Sequence, residues 1–264
     1  MKKLLAILII ISFLLFPYGD ILAALNTYSI DLESTSSQYV YANDSTDLSP
    51  TAAITLEAWS KREDATSIMM IVGKMDSATQ RTYYLYTGAT VIGYEISQDG
   101  ATTDRQYGSA TWTADTNWHH IAFTFNCSTQ TPIIYLDGTP LSTSSTGNAT
   151  AIFDSTSAFV IGFDVVDNNY YFDGKIDEVR VWSDVRTQTE IQDNDQLQLN
   201  GNEANLVGYW MLNNNAEDKG ETTDPAGSIA DDLTLVNTPV YSTDVPFVGA
   251  GAGGAIIVPD VIWW

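Results

Sequence analysis

Cysteine, histidine and positive charge are all scarce in this sequence of 264 residues. It has 1 Cys and 2 His, and 11 Lys and Arg against 33 Asp and Glu, a formal net charge of −22. A single Cys, Cys127, excludes a disulfide within the chain and a Cys-ligated zinc site or dithiol redox pair. The shortage of cations argues against a nucleic-acid-binding protein, since such proteins neutralise phosphates with clustered Lys and Arg. Hydrophobic residues nevertheless make up 44% of the chain, enough for a folded core.

Residues 1–24 have the features of a secretory signal peptide. Lys2 and Lys3 precede an apolar stretch from Leu4 to Phe16, shorter than the roughly 20 residues that cross a bilayer as a helix. We expect a signal helix with cleavage after Ala23 or Ala24; an uncleaved N-terminal anchor is the alternative. The sequence therefore predicts a secreted, extracellular or cell-surface protein with no membrane span after cleavage.

The negative charge also bears on metal binding. An acidic exported protein attracts cations, and calcium is the abundant extracellular cation that prefers carboxylate and carbonyl oxygens. The same charge confers solubility by self-repulsion, and composition alone does not separate the two roles.

From Tyr28 to Tyr241 the chain has the pattern of short strands separated by turns. The segments are rich in the β-branched and aromatic residues that strands prefer, and His119 to Phe125 alternates apolar with more polar side chains. Asp-Gly pairs, which favour tight hairpins, begin at Asp99, Asp137 and Asp173. The predicted strands are Tyr28–Leu32, Gln38–Ala42, Ala53–Lys61, Ser67–Lys74, Thr82–Thr87, Val91–Ser97, Trp118–Asn126, Pro132–Leu136, Ala158–Gly162, Lys175–Trp182, Leu206–Leu212 and Leu233–Val236.

One short helix is predicted after the last long strand. Thr187 and Glu190 have the spacing of a capping box, and Asp193 and Asn194 end the helix. Many strands with one short helix predict an all-β fold, an antiparallel two-sheet jelly-roll sandwich over residues 25–247.

Residues 248–264 are predicted to lie outside this domain. They comprise a flexible linker rich in Gly and Ala and an apolar tail, residues 255–264. The tail either folds back on the domain, stays disordered, or docks onto a surface partner as an added strand.

Several segments, in this order and spacing, carry a family resemblance. The most specific are Asn117–Ala122, Ile134–Gly138 and Phe172–Trp182. Further matching segments are Ser29–Glu33 with Ser37–Val40, Ile54–Trp59, Ile71–Lys74 and Val207–Trp210. Together they resemble the LamG-like jellyroll family of the concanavalin A-like lectin/glucanase superfamily. The resemblance implies two stacked antiparallel sheets, an extracellular binding or adhesion role and, in many members, a structural calcium ion; the family's disulfide cannot form with Cys127 alone.

The resemblance also implies candidate metal ligands. By strand alternation Asp177 shares a face with Val179 and points inward, and in calcium-binding relatives a carboxylate at the matching position binds the ion. Glu33 and Asp31, from the N-terminal strand region, are the further expected ligands. Alternatively, Asp177 caps backbone amides at a turn. The acidic stretch 164–169 is interpreted as a solvated loop, with an ion site as the alternative.

Catalytic motifs are absent from the sequence. Glucanases of this superfamily carry Glu-x-Asp-x-x-Glu or a shorter relative on one strand, and no Glu here is followed two positions later by Asp. His119 and His120, neighbours on one strand, point to opposite faces and cannot jointly bind one metal. We therefore predict that the protein is not an enzyme, with a glycoside hydrolase as a weak alternative.

The expected function is recognition or adhesion at a surface, with an extracellular glycan or protein as ligand. Sugars are held by aromatic stacking and planar polar groups, and the aromatics in or near loops are Tyr94, Tyr107, Trp112, Tyr170 and Tyr171. Core or edge packing is the alternative for each of them. The second hypothesis is a structural cell-envelope or virion decoration protein held by its C-terminal tail.

Overall fold

The computed structural model describes residues 25–167, 169–217, 219 and 231–248. Within them the chain forms sixteen strands and one α-helix, α1 (Gln188–Asn194). The strands are β1 (Ser29–Leu32), β2 (Tyr39–Ala42), β3 (Ala53–Arg62), β4 (Met69–Met75), β5 (Arg81–Thr87), β6 (Val91–Ser97), β7 (Arg105–Thr111), β8 (Trp118–Asn126), β9 (Ile133–Leu136), β10 (Thr139–Pro140), β11 (Thr146–Gly147), β12 (Phe159–Ile161), β13 (Gly174–Trp182), β14 (Leu206–Trp210), β15 (Thr234–Val236) and β16 (Val240–Ser242).

These strands form two antiparallel sheets, which confirms the predicted jelly-roll sandwich. Sheet A has the order β10-β9-β8-β3-β13-β1-β16, with β14 also paired to β13. Sheet B has the order β11-β7-β6-β5-β4-β12-β2-β15. Strands distant in sequence pair at the centre of each sheet, so the chain crosses repeatedly between the layers.

The core lies between the two sheets and follows from strand alternation. On β8, Ile121, Phe123 and Phe125 are fully buried and face sheet B. On β5, Tyr83 and Leu85 face them from the other layer. Burial of apolar surface, about 25 cal/mol per Å², is the main force that holds the layers together.

Every strand predicted from the sequence is present, and four others were not predicted: β7, β10, β11 and β16. The longest of these, β7, contains Gln106, Gly108 and Ser109 and few β-branched residues, so its pairing with β6 outweighs its weak strand propensity. Between β9 and β10, Asp137 and Gly138 have φ angles of 49° and 68°, the positive values that the predicted tight hairpin requires.

Helix α1 begins with the predicted capping box. The Thr187 hydroxyl accepts a hydrogen bond from the Glu190 backbone N–H at 3.3 Å, and the Glu190 carboxylate accepts one from the Thr187 N–H at 2.8 Å. The helix lies on the outer face of sheet A, where Ile191 packs against Ala122 and Tyr135.

The predicted signal peptide, the Gly/Ala linker from residue 249 and the apolar tail lie outside the described residues. In the part of the chain that the structure describes, no helix is long and apolar enough to cross a membrane.

Candidate functional site

The outer face of sheet B carries a row of tyrosines that the sequence analysis did not select. On β5, Tyr84 and Tyr86 alternate with the core residues Tyr83 and Leu85, so they point away from the core. A Cβ added to Gly93 of β6 would come within 2.2 Å of the Tyr86 ring. Glycine at this position therefore leaves the room that the ring occupies.

Two adjoining depressions lie beside these rings. The first, which we call the tyrosine pocket, has a volume of about 220 Å³ and is lined by Ile68, Met70, Arg81, Tyr84, Tyr86, Asp164, Asp167 and Tyr170. The second, which we call the rim pocket, has a volume of about 370 Å³ and is lined by Ser34, Thr35, Asp64, Ser67, Ile68, Met69, Asn169, Tyr170, Tyr171 and Asp173. Because Ile68 and Tyr170 line both, the two depressions form one continuous concave surface.

The loop between β12 and β13 supplies one wall of the tyrosine pocket. Asp164 and Asn169 exchange backbone hydrogen bonds of 3.2 and 3.3 Å, and Met70 of β4 donates its N–H to the Tyr170 carbonyl at 2.9 Å. Tyr170 has a φ of 55°, a conformation that non-glycine residues seldom adopt. Such strain persists where the surroundings enforce it and is common at binding sites.

Charged groups on β5 and β6 are held in fixed positions below the rings. Arg81 donates to Glu95 at 2.7 Å, and the Tyr84 hydroxyl donates to the other Glu95 oxygen at 3.0 Å. Glu95, only 1% exposed, also forms an ion pair with Arg105. Burial, followed by the Glu95 charge, raises the pKa of Tyr84 above its usual range. The hydroxyl therefore stays a hydrogen-bond donor.

Asp164 is the buried acid of the tyrosine pocket. It is 6% exposed, and its Oδ1 accepts the N–H groups of Val166 and Asp167 at 2.9 and 3.1 Å. Burial raises the pKa of this carboxyl. The pocket thus combines three aromatic rings with a fixed carboxylate and a fixed guanidinium, the mixture of apolar and oriented polar groups found in ligand sites.

The five aromatic residues predicted to bind ligand lie in different environments in the structure. Tyr170 and Tyr171 line the depressions, and the Tyr171 ring stacks on another aromatic ring of the loop at 4.2 Å. Tyr107 is 40% exposed on β7, outside both depressions, beneath the Arg105 guanidinium. Their role in binding stays a prediction.

The structure corrects the prediction that Tyr94 and Trp112 are available to a ligand. Tyr94 is 1% exposed and stacks on Phe123 in the core at 4.5 Å, and Trp112 is 7% exposed and donates to the Gly88 carbonyl. These two residues are core side chains without a free ring face. Their nearness to turns in the sequence suggested exposure. Alternation along β6 instead places Tyr94 inward, and Trp112, directly after β7, also packs in the core.

Sequence reasoning did not select Arg81, Tyr84 or Tyr86, and it did not anticipate that Asp164 is buried. The segment Thr82–Tyr86 is aromatic on both faces, so its periodicity does not show which tyrosines point outward. The stretch around Asp164 looked like a solvated loop because its charge is visible in the sequence and its burial is not.

The predicted orientation of Asp177 is wrong. Strand β13 bulges after Asp177, and Glu178 takes a φ of 50°. Because of the extra residue, Ile176 and Val179 both face the core, whereas Asp177 pairs with Trp59 on the outer face of sheet A. A period of two cannot anticipate a bulge.

Protein donors hold the Asp177 carboxylate in its buried position. Asn26 donates its side-chain N–H to Oδ2 at 2.8 Å, and the Glu178 backbone N–H donates to Oδ1 at 3.0 Å. Burial, followed by the Glu178 charge, raises the pKa of Asp177 well above its usual range. As in the alternative interpretation, Asp177 accepts a backbone N–H, but it does so at a bulge within β13 and not at a turn.

The other two predicted metal ligands lie farther along the same pair of strands. Asp31 on β1 is opposite Lys175, with 3.2 Å between the carboxylate and the ammonium, and Glu33 is exposed just beyond β1. Among the described residues no three acidic, His or Cys side chains are grouped as a metal site requires. The side chains of Asp177, Asp31 and Glu33 are therefore not gathered around one point in the described residues. Because backbone carbonyls also bind calcium, calcium binding stays a prediction.

The two histidines occupy opposite faces of β8, as predicted. His119 lies between Asp115 and Asp137, with ring nitrogens 3.1 and 2.8 Å from the carboxylates. His120 is buried on the outer face of sheet A, 3.2 Å from Glu57. The two histidines thus contact different carboxylates and share no partner.

Comparison with known proteins agrees with this architecture. The family model described as the concanavalin A-like lectin/glucanases superfamily matches residues 34–192. The chain belongs to this superfamily. No curated protein matches the sequence.

Two solved structures show the same superfamily fold. One is a candidate carbohydrate binding protein from Bacteroides ovatus ATCC 8483, with a TM-score of 0.60 and 20% identity over 84% of this chain and 61% of that chain. The other is a heptameric SAP-like pentraxin from Limulus polyphemus, with a TM-score of 0.57 and 12% identity over 82% of this chain and 94% of that chain. The chain thus spans about three fifths of the bacterial protein, and the likeness at these identities concerns the fold.

Proposed function

We propose that this protein is a non-catalytic recognition module that binds a glycan in the tyrosine pocket at the outer face of sheet B. Its place of action is outside the cell or at the cell surface, as residues 1–24 predict. The observation that carries the proposal is the placement of three tyrosines beside a buried carboxylate and a fixed guanidinium.

The chemistry of the pocket suits a sugar. Tyr84, Tyr86 and Tyr170 offer aromatic surface against which the apolar face of a pyranose ring packs. Asp164 and Arg81, held by their own hydrogen bonds, are oriented to bind hydroxyl groups without reorganisation. The likeness in fold to the candidate carbohydrate binding protein from Bacteroides ovatus supports the same class of ligand.

The absence of a catalytic motif supports binding without turnover. Glycoside hydrolases of this superfamily carry an Asp two positions after the first catalytic Glu on the same strand face, and no Glu in this sequence is followed by Asp at that spacing. In the tyrosine pocket the backbone N–H of Asp167 donates to Asp164, so the carboxylate of Asp164 is engaged in shaping its own loop.

A glycan array probed with the protein tests the proposal, followed by titration calorimetry with the best ligand. Replacing Tyr170→Ala removes one ring contact, and we expect about a tenfold loss of affinity, which corresponds to about 1.4 kcal/mol. Tyr41→Ala is the matched control, because Tyr41 is partly exposed on β2 of the same sheet and lines neither depression, and the affinity of this variant should match that of the unaltered protein.

Three results would contradict the proposal. They are the absence of binding to any glycan, an equal loss of affinity in both tyrosine variants, and release of reducing ends from the bound glycan. The last result would favour the glycoside hydrolase alternative. The hypothesis of a structural protein held by residues 255–264 predicts instead that surface retention fails when those residues are deleted.

A further inference from the structure

The tyrosine pocket contains a carboxylate oxygen that accepts no hydrogen bond from the described residues. Asp164 is 94% buried, and both of its hydrogen bonds go to Oδ1. Among the described residues none donates a hydrogen bond to Oδ2, although Asp164 lines the pocket. Oδ2 is not one of the enclosed side-chain atoms that lack a partner, so it is open to the pocket, and a ligand bound there can supply the donor that this oxygen lacks.

The nearest cation does not supply that donor. Arg81 lines the same pocket, but its guanidinium is paired with Glu95 at 2.7 Å. Among the described residues no ion pair joins Arg81 to Asp164, and the two charges attract each other only at longer range. Asp167, exposed at the pocket rim, adds a second negative charge. The charge that remains for a ligand is therefore negative, within a chain whose net charge is −22.

The aromatic walls favour a cation as well. Tyr84, Tyr86 and Tyr170 surround the same space, and the face of an aromatic ring attracts an ammonium group within about 6 Å of its centroid. The protein already uses this interaction on the same sheet, where guanidinium groups lie over Tyr84 and Tyr107 at 5.5 and 4.5 Å.

We propose that the tyrosine pocket selects glycans that carry a free, protonated amino group, and that this ammonium group lies between Asp164 Oδ2 and the tyrosine rings. The inference rests on the proposed glycan-binding function and names the class of sugar. An N-acetylated sugar lacks the charge and leaves the Asp164 carboxylate without a cationic partner. Sites built to bind a polar group discriminate strongly against ligands that lack it.

The test compares two oligosaccharides of equal length, a fully N-acetylated and a fully deacetylated glucosamine hexamer. Calorimetry is run at an ionic strength of about 0.15 M, which screens long-range attraction by the acidic chain. For the unaltered protein we expect about a tenfold preference for the deacetylated hexamer. Asp164→Asn should abolish the preference, since an amide still accepts the two backbone hydrogen bonds but carries no charge.

Asp193→Asn is the charge-matched control. Asp193 is exposed on helix α1, so its replacement removes one negative charge on the other sheet and should keep the preference. Thermal unfolding of both variants shows whether the fold is retained. If Asp193→Asn reduces the preference as much as Asp164→Asn, the net charge of the chain is responsible and the inference is overturned.

The remaining outcomes separate the inference from the proposed function. Equal binding of both hexamers, or tighter binding of the acetylated one, overturns amine selectivity and leaves glycan binding intact. An Asp164→Asn variant that keeps the preference also overturns the inference. Failure of every glycan on the array to bind overturns both proposals.

Discussion

The outer faces of the two sheets differ in how their polar groups are covered. On sheet A, helix α1 and the segment after it lie over the strands, and the charged residues beneath are almost completely buried. On sheet B, Tyr84 and Tyr86, with Tyr170 of the neighbouring loop, line open depressions. Both faces belong to one sandwich, so the contrast separates groups that stabilise the fold from groups available to a ligand.

On sheet A, the chain satisfies its own buried charges. Arg180 lies 2.9 Å from Glu178 and donates to the carbonyl of Asn194, the last residue of α1. Tyr209 and Gln198 donate to the same Glu178 carboxylate at 2.7 and 3.0 Å. A charge with this many internal partners has little left to offer a ligand, unlike Asp164 on sheet B.

Arg180→Ala should have the largest effect on stability. Arg180 and Glu178 are 1% and 0% exposed, and removal of one partner leaves a buried charge uncompensated. We expect a loss of about 3–5 kcal/mol in the free energy of unfolding, measured by urea denaturation. Glycan binding by the folded fraction should be unchanged, because the pair lies on sheet A.

Lys61→Met is the matched control on the same sheet. Lys61 pairs with Asp244 at 2.7 Å, but both side chains are 30% or more exposed, and such pairs contribute about 0–1 kcal/mol. A double variant, Glu178→Gln with Arg180→Met, should recover part of the loss. Equal losses of unfolding free energy in Arg180→Ala and Lys61→Met would contradict the burial of the Arg180–Glu178 pair on the outer face of sheet A.

Asp177→Asn should raise stability near neutral pH. The folded pKa of Asp177 is raised, chiefly by burial and then by the Glu178 charge. Its contribution to stability is therefore fully present below the unfolded pKa of about 3.9 and is lost as the pH rises through the folded pKa. The amide keeps an oxygen acceptor without the charge, so the melting temperature should rise by a few degrees near pH 7 and converge with that of the unaltered protein in acid.

The same variant tests the predicted calcium ion. If calcium binds Asp177, millimolar calcium raises the melting temperature of the unaltered protein but not that of Asp177→Asn. In calcium the variant should then no longer melt at a higher temperature than the unaltered protein. A calcium-dependent rise that survives Asp177→Asn and is lost in Glu33→Gln would place the ion at the end of β1. No rise in either protein contradicts the prediction.

Much of the fold was predictable because the signals are local. Alternation from His119 to Phe125, the Asp137-Gly138 turn and the Thr187 capping box each specify a short segment, and each is present in the structure. The strand order and the burial of charged residues on the outer face of sheet A depend on contacts between distant segments, which a single sequence does not show.

The candidate site was less predictable for the same reason. Tyr84 lies on β5 and Asp164 in the loop after β12, so only the pairing of β4 with both β5 and β12 brings them together. Asp177 was misplaced because one bulge reverses the faces of a strand. Tyr170 was selected because it lies in a loop, and the structure adds that it separates the two depressions.

The smallest expected effect on stability concerns helix α1, which covers part of the outer face of sheet A. Thr187→Ala removes the side-chain half of the capping box and should cost about 1 kcal/mol or less, since the residue is exposed and the helix is short. Hydrogen exchange should accelerate at the amides of α1 and leave those of β5 and β6 unaltered. Faster exchange on β5 as well would mean that the two outer faces open together, and the separation between a structural face and a binding face would then be lost.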